Sequence, residues 1–141
     1  MRADYGLRAM IDLAQHAGQG TVQSAHIAAR QSISEPYLDQ LLTTLRKAGL
    51  IWSVRGPSGG HSLAKAPGDI TLADIVLALE GQGTPMTCIQ EEGRCQLGTE
   101  CVIRGVWEAM EAASLAVLKG VTLAELATRQ GQLQSRVMYY I

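Results

Sequence analysis

The cysteines of this chain are confined to one short segment, at Cys88, Cys95 and Cys101. Their spacing, Cys-x6-Cys-x5-Cys, lacks the close cysteine pairs of zinc ribbons and fingers and the Cys-x-x-Cys of dithiol redox proteins. An odd, clustered set argues against a secreted disulfide framework and favours metal or redox chemistry. Wide spacing in a glycine-containing segment suits thiolates arranged around a larger group, and an iron–sulfur cluster is such a group. A structural zinc, or three ordinary cysteines, stay open as alternatives.

Three thiolates leave one coordination position of such a cluster for a weaker ligand. We therefore expect a site suited to sensing, because oxygen or nitric oxide can attack the cluster at the position that carries the weaker ligand. The cofactor is predicted as a [2Fe-2S] or [4Fe-4S] cluster, with the type left open.

No other residues show the spacing of a catalytic site. The three histidines, His16, His26 and His61, are scattered along the chain. The glycine-rich residues 55–60 lack the Gly-Lys-Ser/Thr ending of a phosphate-binding loop. The chain is therefore not predicted to be an enzyme, and a small electron carrier would not need the elements described next.

The N-terminal half is predicted to contain a helix-turn-helix. Apolar residues at helical spacing predict a first helix over 5–17, with Asp4 as a possible N-cap. A short helix over 25–31, capped by Ser24, is followed by a longer helix that opens at Ser34. Two helices joined by a tight turn in this way are typical of DNA-binding motifs.

A hairpin is predicted directly after these helices, with strands at residues 50–54 and 61–63 around a glycine-rich turn. A hairpin in this position is a wing. Residues that could contact DNA lie at the start of the third helix and in the wing. They are Ser34, Pro36, Tyr37, Gln40, Arg55 and Gly59.

The C-terminal half is predicted to contain a dimerisation element. Thr71 opens an amphipathic helix, residues 82–98 form a loop, and Thr99 opens a long helix. A short helix over 122–128 and a tail follow. Apolar residues of the long helix recur every three or four positions, which is typical of a seam for another helix. They are Ile103, Val106, Met110, Ala113 and Val117.

The overall net charge of −1 does not indicate nucleic-acid binding, but the charges are unevenly distributed along the chain. Hydrophobic residues make up 47% of the chain, but no run approaches the roughly 20 apolar residues of a membrane span. No secretory signal is present, so a cytoplasmic protein is expected. Residues 1–65 carry seven basic and four acidic side chains, a net +3, whereas residues 66–141 carry five and nine, a net −4. The basic half is the one that would face phosphates.

These motifs, in this order, resemble the Rrf-two (Rrf2) family of bacterial regulators. The similar segments are DYGLRAM at 4–10, ISEPYLDQL at 33–41, LRKAGL at 45–50, SVRGPSGG at 53–60, ITL at 70–72 and VTL at 121–123, together with the three cysteines. The resemblance covers nearly the whole chain.

The resemblance implies a homodimer joined by the long helix, with two reading heads on a roughly palindromic double-stranded DNA operator. It implies that Cys88, Cys95 and Cys101 hold the cluster. The IscR-like branch has a His ligand three residues after the third cysteine, where this chain has Arg104. The NsrR-like branch uses an Asp in the first helix of the partner subunit, and Asp4 falls at that position.

The expected protein is mainly α-helical with a small β-wing, a winged helix-turn-helix joined to a long dimerisation helix. The expected domains are the DNA-binding domain at 1–80, the cluster-binding loop at 81–99, and the dimerisation helix with a C-terminal arm at 100–141. The expected function is a transcription regulator, a repressor whose operator affinity depends on a cluster sensing iron status, nitric oxide or redox stress. The alternative is a cluster-free thiol- or zinc-dependent regulator.

Overall fold

The computed structural model describes residues 2–81 and 102–139. The predicted cysteine ligands and most of the predicted loop lie outside these residues. The helices are α1 (Arg2–Gln15), α2 (Ser24–Gln31), α3 (Glu35–Lys47), α4 (Leu72–Glu80), α5 (Val102–Lys119) and α6 (Leu123–Tyr139). The strands β1 (Ile51–Val54) and β2 (Gly60–Leu63) form an antiparallel pair, and a 3-10 turn covers Pro67–Asp69. The mainly α-helical fold with a small wing is confirmed.

The helix starts differ in part from the predictions. Helix α1 already begins at Arg2, so the expected N-cap role of Asp4 is wrong; Asp4 lies in the first turn and pairs with Arg8 at 3.2 Å. Gln23, not Ser24, occupies the N-cap position of α2. Ser34 does occupy the N-cap position of α3, although its side chain makes no capping hydrogen bond.

The core is formed where α1, α3 and α4 meet. The predicted apolar stripe of α3 is buried in it, with Leu38, Leu41, Leu42 and Leu45 all at most 2% exposed. Because these residues recur every three or four positions, one face of α3 is apolar and the opposite face is left polar and outward. The fold therefore presents the polar face of α3 to solvent.

Helix α1 is fastened tightly to α4. A Cβ added at Gly6 would lie 2.1 Å from Cδ1 of Leu79, so the absence of a side chain permits the close approach. At the start of α1, the backbone N–H of Ala3 donates to Oε1 of Glu80 at 2.9 Å. Helix α4 begins after Thr71 as predicted, and the structure shows a capping box there: Thr71 Oγ1 accepts from Asp74 N–H, and the Asp74 carboxylate accepts from Thr71 N–H.

The C-terminal helix is longer than predicted. A short helix over 122–128 and a tail were expected, but α6 runs continuously to Tyr139. The apolar periodicity is weak after residue 128, which is why the sequence indicated a tail. In the fold Leu123 is fully buried and α6 packs against α1, where Gln15 donates to Gln134 at 3.2 Å. Tertiary packing, not local propensity, therefore stabilises this helix.

Candidate DNA-binding face

The first turn of α3 is open to solvent. Ser34, Glu35, Pro36 and Gln40 are exposed, while the apolar side of the same helix is buried. Pro36 fits the first turn because a missing backbone N–H costs little there. The face is therefore available to the edges of bases, as recognition helices require.

Tyr37 differs from its exposed neighbours because its ring is partly buried. It packs edge-to-face on Tyr5 of α1, with ring centroids 5.7 Å apart and an interplanar angle of 89°. The Arg8 guanidinium in turn lies 5.2 Å from the centroid of the Tyr5 ring. The structure thus gives Tyr37 a packing role, and its contact with DNA stays a prediction.

The wing places Arg55 at an exposed position and Gly59 at a buried one. A Cβ at Gly59 would lie 2.1 Å from the Val54 carbonyl oxygen, so only glycine fits the turn as it stands. The Gly59 N–H donates to Gly56 O at 2.9 Å. Gly59 therefore shapes the turn, and a direct role of Gly59 in DNA binding stays a prediction.

The wing is also held to the segment that precedes α2. Val22 and His61 exchange both backbone hydrogen bonds, at 2.8 and 2.7 Å. Thr21 Oγ1 donates to Ser58 O at 3.1 Å. These contacts fix the base and the tip of the wing relative to the helix-turn-helix.

A cleft of about 260 Å³ separates α3 from the wing. It is lined by Asp39, Leu42, Thr43, Arg46, Ser53, Val54, Arg55 and His61. Asp39, Thr43 and Arg46 were not among the candidate site residues predicted from the sequence. Their spacing along α3 places them on a shared side, but only the fold shows that this side faces Arg55. The guanidiniums of Arg46 and Arg55 are the groups of this cleft that favour a phosphate, while the Asp39 carboxylate opposes one.

His61 lies at the inner wall of this cleft. Its Nδ1 is 2.8 Å from Ser53 Oγ across the β1–β2 pair. Burial lowers the pKa of His61 below its ordinary value; Asp39 opposes this shift and Arg46 adds to it. His61 is therefore mainly neutral at pH 7 and serves the wing as a hydrogen-bonding residue.

Asp12 is the buried charged residue of the core, only 1% exposed. Arg30 donates two hydrogen bonds to its carboxylate, at 2.8 and 2.7 Å, and Gln31 donates a third at 3.1 Å. His16 Nδ1 lies 3.6 Å from Asp12 Oδ1. Burial alone would raise the pKa of Asp12, but the hydrogen bonds from Arg30 and Gln31 hold it below its ordinary value. Sequence analysis did not single out this set, which joins α1 to the end of α2.

The predicted cluster ligands are only partly within the described residues. Asp4 is 57% exposed on α1. Arg104 cannot replace the His ligand of the IscR-like branch, and it pairs with Glu108 at 3.0 Å. Within residues 2–81 and 102–139, no group of three or more His, Cys, Asp or Glu is arranged to hold a metal ion.

The predicted seam on α5 is exposed. Ile103, Val106, Met110 and Val117 are between 40% and 68% accessible, along the face that does not contact α4. An apolar stripe of this length on a water-exposed helix is typical of an interface.

Among the described helices, none is long and apolar enough to cross a membrane.

The helix-turn-helix with an exposed recognition turn beside an Arg-bearing wing defines the winged-helix class of DNA-binding proteins. More specifically, the chain belongs to the Rrf2 family: residues 1–129 match the family model described as "Rrf2: Iron-dependent Transcriptional regulator". The protein is a DNA-binding transcription regulator.

Named relatives agree with this family assignment. The chain is 41% identical over 122 residues to the HTH-type transcriptional regulator IscR of Aliivibrio salmonicida, a match covering 86% of this chain and 72% of the relative. Among solved structures it is similar to T. potens IscR, with TM-score 0.76, 41% identity and coverage of 95% and 88%. It is also similar to CymR, the global cysteine regulator of B. subtilis, with TM-score 0.74, 34% identity and coverage of 92% and 95%. These relatives are named as regulators and not as enzymes.

Proposed function

We propose that the operator affinity of this regulator is controlled by an iron–sulfur cluster, [2Fe-2S] or [4Fe-4S], that senses iron status, nitric oxide or redox stress. Cys88, Cys95 and Cys101 would supply the thiolates and Asp4 of the partner subunit the fourth ligand. One observation carries the proposal: a chain that matches an iron-dependent regulator family over residues 1–129 has its cysteines just before α5. The DNA target and the redox chemistry place it in the cytoplasm.

The donor set suits the proposed cluster. Thiolate is the usual ligand of iron–sulfur clusters, and a carboxylate completes the set as a weaker, exchangeable donor. Asp4 is exposed and has Arg8 beside it at 3.2 Å, so a cation is at hand to balance the negative charge of the site. When bound, the cluster would supply a redox-active centre that oxygen or nitric oxide can attack.

A homodimer follows from the same proposal. The exposed apolar face of α5 would pack on the same face of a second copy, an isologous arrangement. Two reading heads related by a two-fold axis would then bind a roughly palindromic operator. The cluster would act by favouring one arrangement of the two heads over another, through contacts made only in that arrangement.

Anaerobic reconstitution with iron and sulfide tests the cofactor. We expect visible iron–sulfur absorption, iron and sulfide in similar amounts, and different DNA affinities for the loaded and the cluster-free protein. A colourless protein with stoichiometric zinc would instead support the cluster-free alternative. That alternative draws its support from the similarity to CymR, which is named as a cysteine regulator.

The fourth ligand is tested by Asp4→Ala, with Asp69→Ala as the matched control because Asp69 is also exposed but lies in the 3-10 turn. We expect Asp4→Ala to lose its cluster faster under air, while Asp69→Ala behaves as wild type. Equal rates of bleaching for all three proteins would remove Asp4 from the site.

A further inference from the structure

The turn between α2 and α3 has a backbone conformation that needs support. Ser32 has φ 54° and ψ 47°, and it is the non-glycine residue with positive φ among the described parts of the chain. A left-handed conformation is unfavourable for a residue with a side chain, because Cβ approaches the following carbonyl oxygen. The turn aims α3, so whatever holds Ser32 in this conformation also sets the direction of the recognition helix.

The Asp12 network, which comprises Asp12, Arg30, Gln31 and His16, holds the residues just before this turn. Arg30 and Gln31 are the last two residues of α2, and both donate to the Asp12 carboxylate. A bidentate Arg–carboxylate pair fixes orientation as well as distance. The end of α2 is therefore fastened to α1 directly before Ser32.

Helix α1 is itself a fixed support. Its N-terminal half is joined to α4 through the Gly6–Leu79 contact and the hydrogen bond from Ala3 to Glu80. Tyr5 meets Tyr37, which lies in the first turn of α3. The chain beyond the turn is held too, because Ile33 is buried and its N–H donates to Ala28 O at 3.0 Å.

We infer that Asp12 is a positioning residue for DNA recognition: through Arg30 and Gln31 it fixes the turn that aims α3 into the major groove. Asp12 is 1% exposed and cannot touch DNA, so any effect on recognition must pass through its partners. The inference rests on DNA reading by α3 and not on the cluster.

The test uses Asp12→Asn in the full-length chain, with Glu125→Gln as the control. Glu125 also pairs with an arginine, Arg129, but it lies on α6, away from the helix-turn-helix. The probes are a duplex selected by the wild-type protein from a random-sequence library and a scrambled duplex of the same length.

We expect the affinity ratio between the two duplexes to fall roughly tenfold in Asp12→Asn, about the cost of misreading one base pair. Affinity for the scrambled duplex should change less than affinity for the selected duplex, because phosphate contacts depend less on the direction of α3 than base contacts do. Glu125→Gln should keep the wild-type ratio. A merely structural role would lower stability and the active fraction but leave this ratio unaltered.

A folded Asp12→Asn with the wild-type ratio overturns the inference. If Asp12→Asn does not fold, the Gln31→Met variant tests the inference instead. It removes only the 3.1 Å hydrogen bond from Gln31 to Asp12 and keeps the Arg30–Asp12 pair. It should lower the ratio several-fold, and an unchanged ratio overturns the inference. A wild-type protein that enriches no sequence would overturn DNA reading itself, and with it this inference.

Discussion

Asp12 combines a buried carboxylate with two strong hydrogen-bonding partners, and this combination makes its charge a source of stability. The network spans 18 residues of sequence between Asp12 and Arg30. An uncompensated carboxylate at this depth would be costly, whereas a paired one fixes a single arrangement of the helices. The same pairing also predicts how stability should depend on pH.

The folded-state pKa of Asp12 is below the ordinary value of 3.8. The ionised form is therefore favoured by folding, and its contribution is fully present above about pH 5 and is lost as pH falls through the folded pKa. We expect Asp12→Asn to lower the free energy of unfolding by about 1.5–3 kcal/mol at neutral pH. Urea titrations from pH 7 downwards should show this difference shrinking below about pH 4. A difference independent of pH would contradict the role given to the charge.

Arg55 and Arg46 each contribute one positive charge to the cleft between α3 and the wing. We expect Arg55→Ala and Arg46→Ala each to weaken DNA binding and to reduce the salt slope of log K by about one, as the loss of one phosphate contact does. Fluorescence anisotropy across a salt series measures both quantities, and sedimentation should show an intact dimer. Arg129→Ala, on α6, is the control, and a slope lowered equally in that variant would argue against contacts in the cleft.

At the scale of elements, the wing depends on backbone contacts that leave no room for side chains. Gly59 meets the Val54 carbonyl, and Gly60, at φ 151°, would place a Cβ 2.6 Å from Val22 O. The wing turn therefore packs closely on the end of β1, and the start of β2 packs closely on the segment before α2. Its shape decides where Arg55 is presented.

We expect Gly59→Ala to open the wing turn, because its Cβ would clash with backbone atoms of Val54 and Arg55 and not with a flexible side chain. Steric misfit of this kind costs about 1–3 kcal/mol, and DNA affinity should fall with little change in dimerisation. Gly68→Ala is the control, since a Cβ there meets nothing within 4 Å. Thermal unfolding and DNA titration of both variants measure the effect. Equal behaviour of the two would mean that the turn adapts without loss.

At the scale of the whole molecule, α5 carries the apolar surface that the monomer leaves uncovered. Val106 is 66% exposed and belongs to this stripe. We expect Val106→Glu to convert the proposed dimer to monomers, because a charge within an apolar interface is left without a partner. Sedimentation velocity measures the oligomeric state, and DNA binding to a palindromic duplex should weaken with it.

Ala112→Glu is the matched control for this prediction. Ala112 is also exposed on α5, but at 3.6 residues per turn it lies well around the helix from the apolar stripe. This variant should remain a dimer. If both variants stay dimeric, a surface other than the α5 stripe must join the subunits.

The amino-acid sequence by itself determined the elements whose signals are local. The apolar stripe of α3, the N-cap position of Ser34 and the helix start at Thr71 are patterns within a few residues, so the helix-turn-helix and the start of α4 were correctly predicted. The glycine-rich turn at residues 55–60 likewise indicated the wing correctly. The cysteine site was proposed from spacing and from family resemblance, and it stays a prediction because its residues lie outside the described part of the chain.

Only the tertiary structure decided the features that join distant segments. Periodicity marks which face of a helix is apolar but not which residue meets it, so the Asp12–Arg30 pair and the Tyr5–Tyr37 contact could not be foreseen. The same holds for Arg46, which shares a cleft with Arg55 only because the wing folds back beside α3. The length of α6 was underestimated because its stability comes from α1 and not from its own sequence.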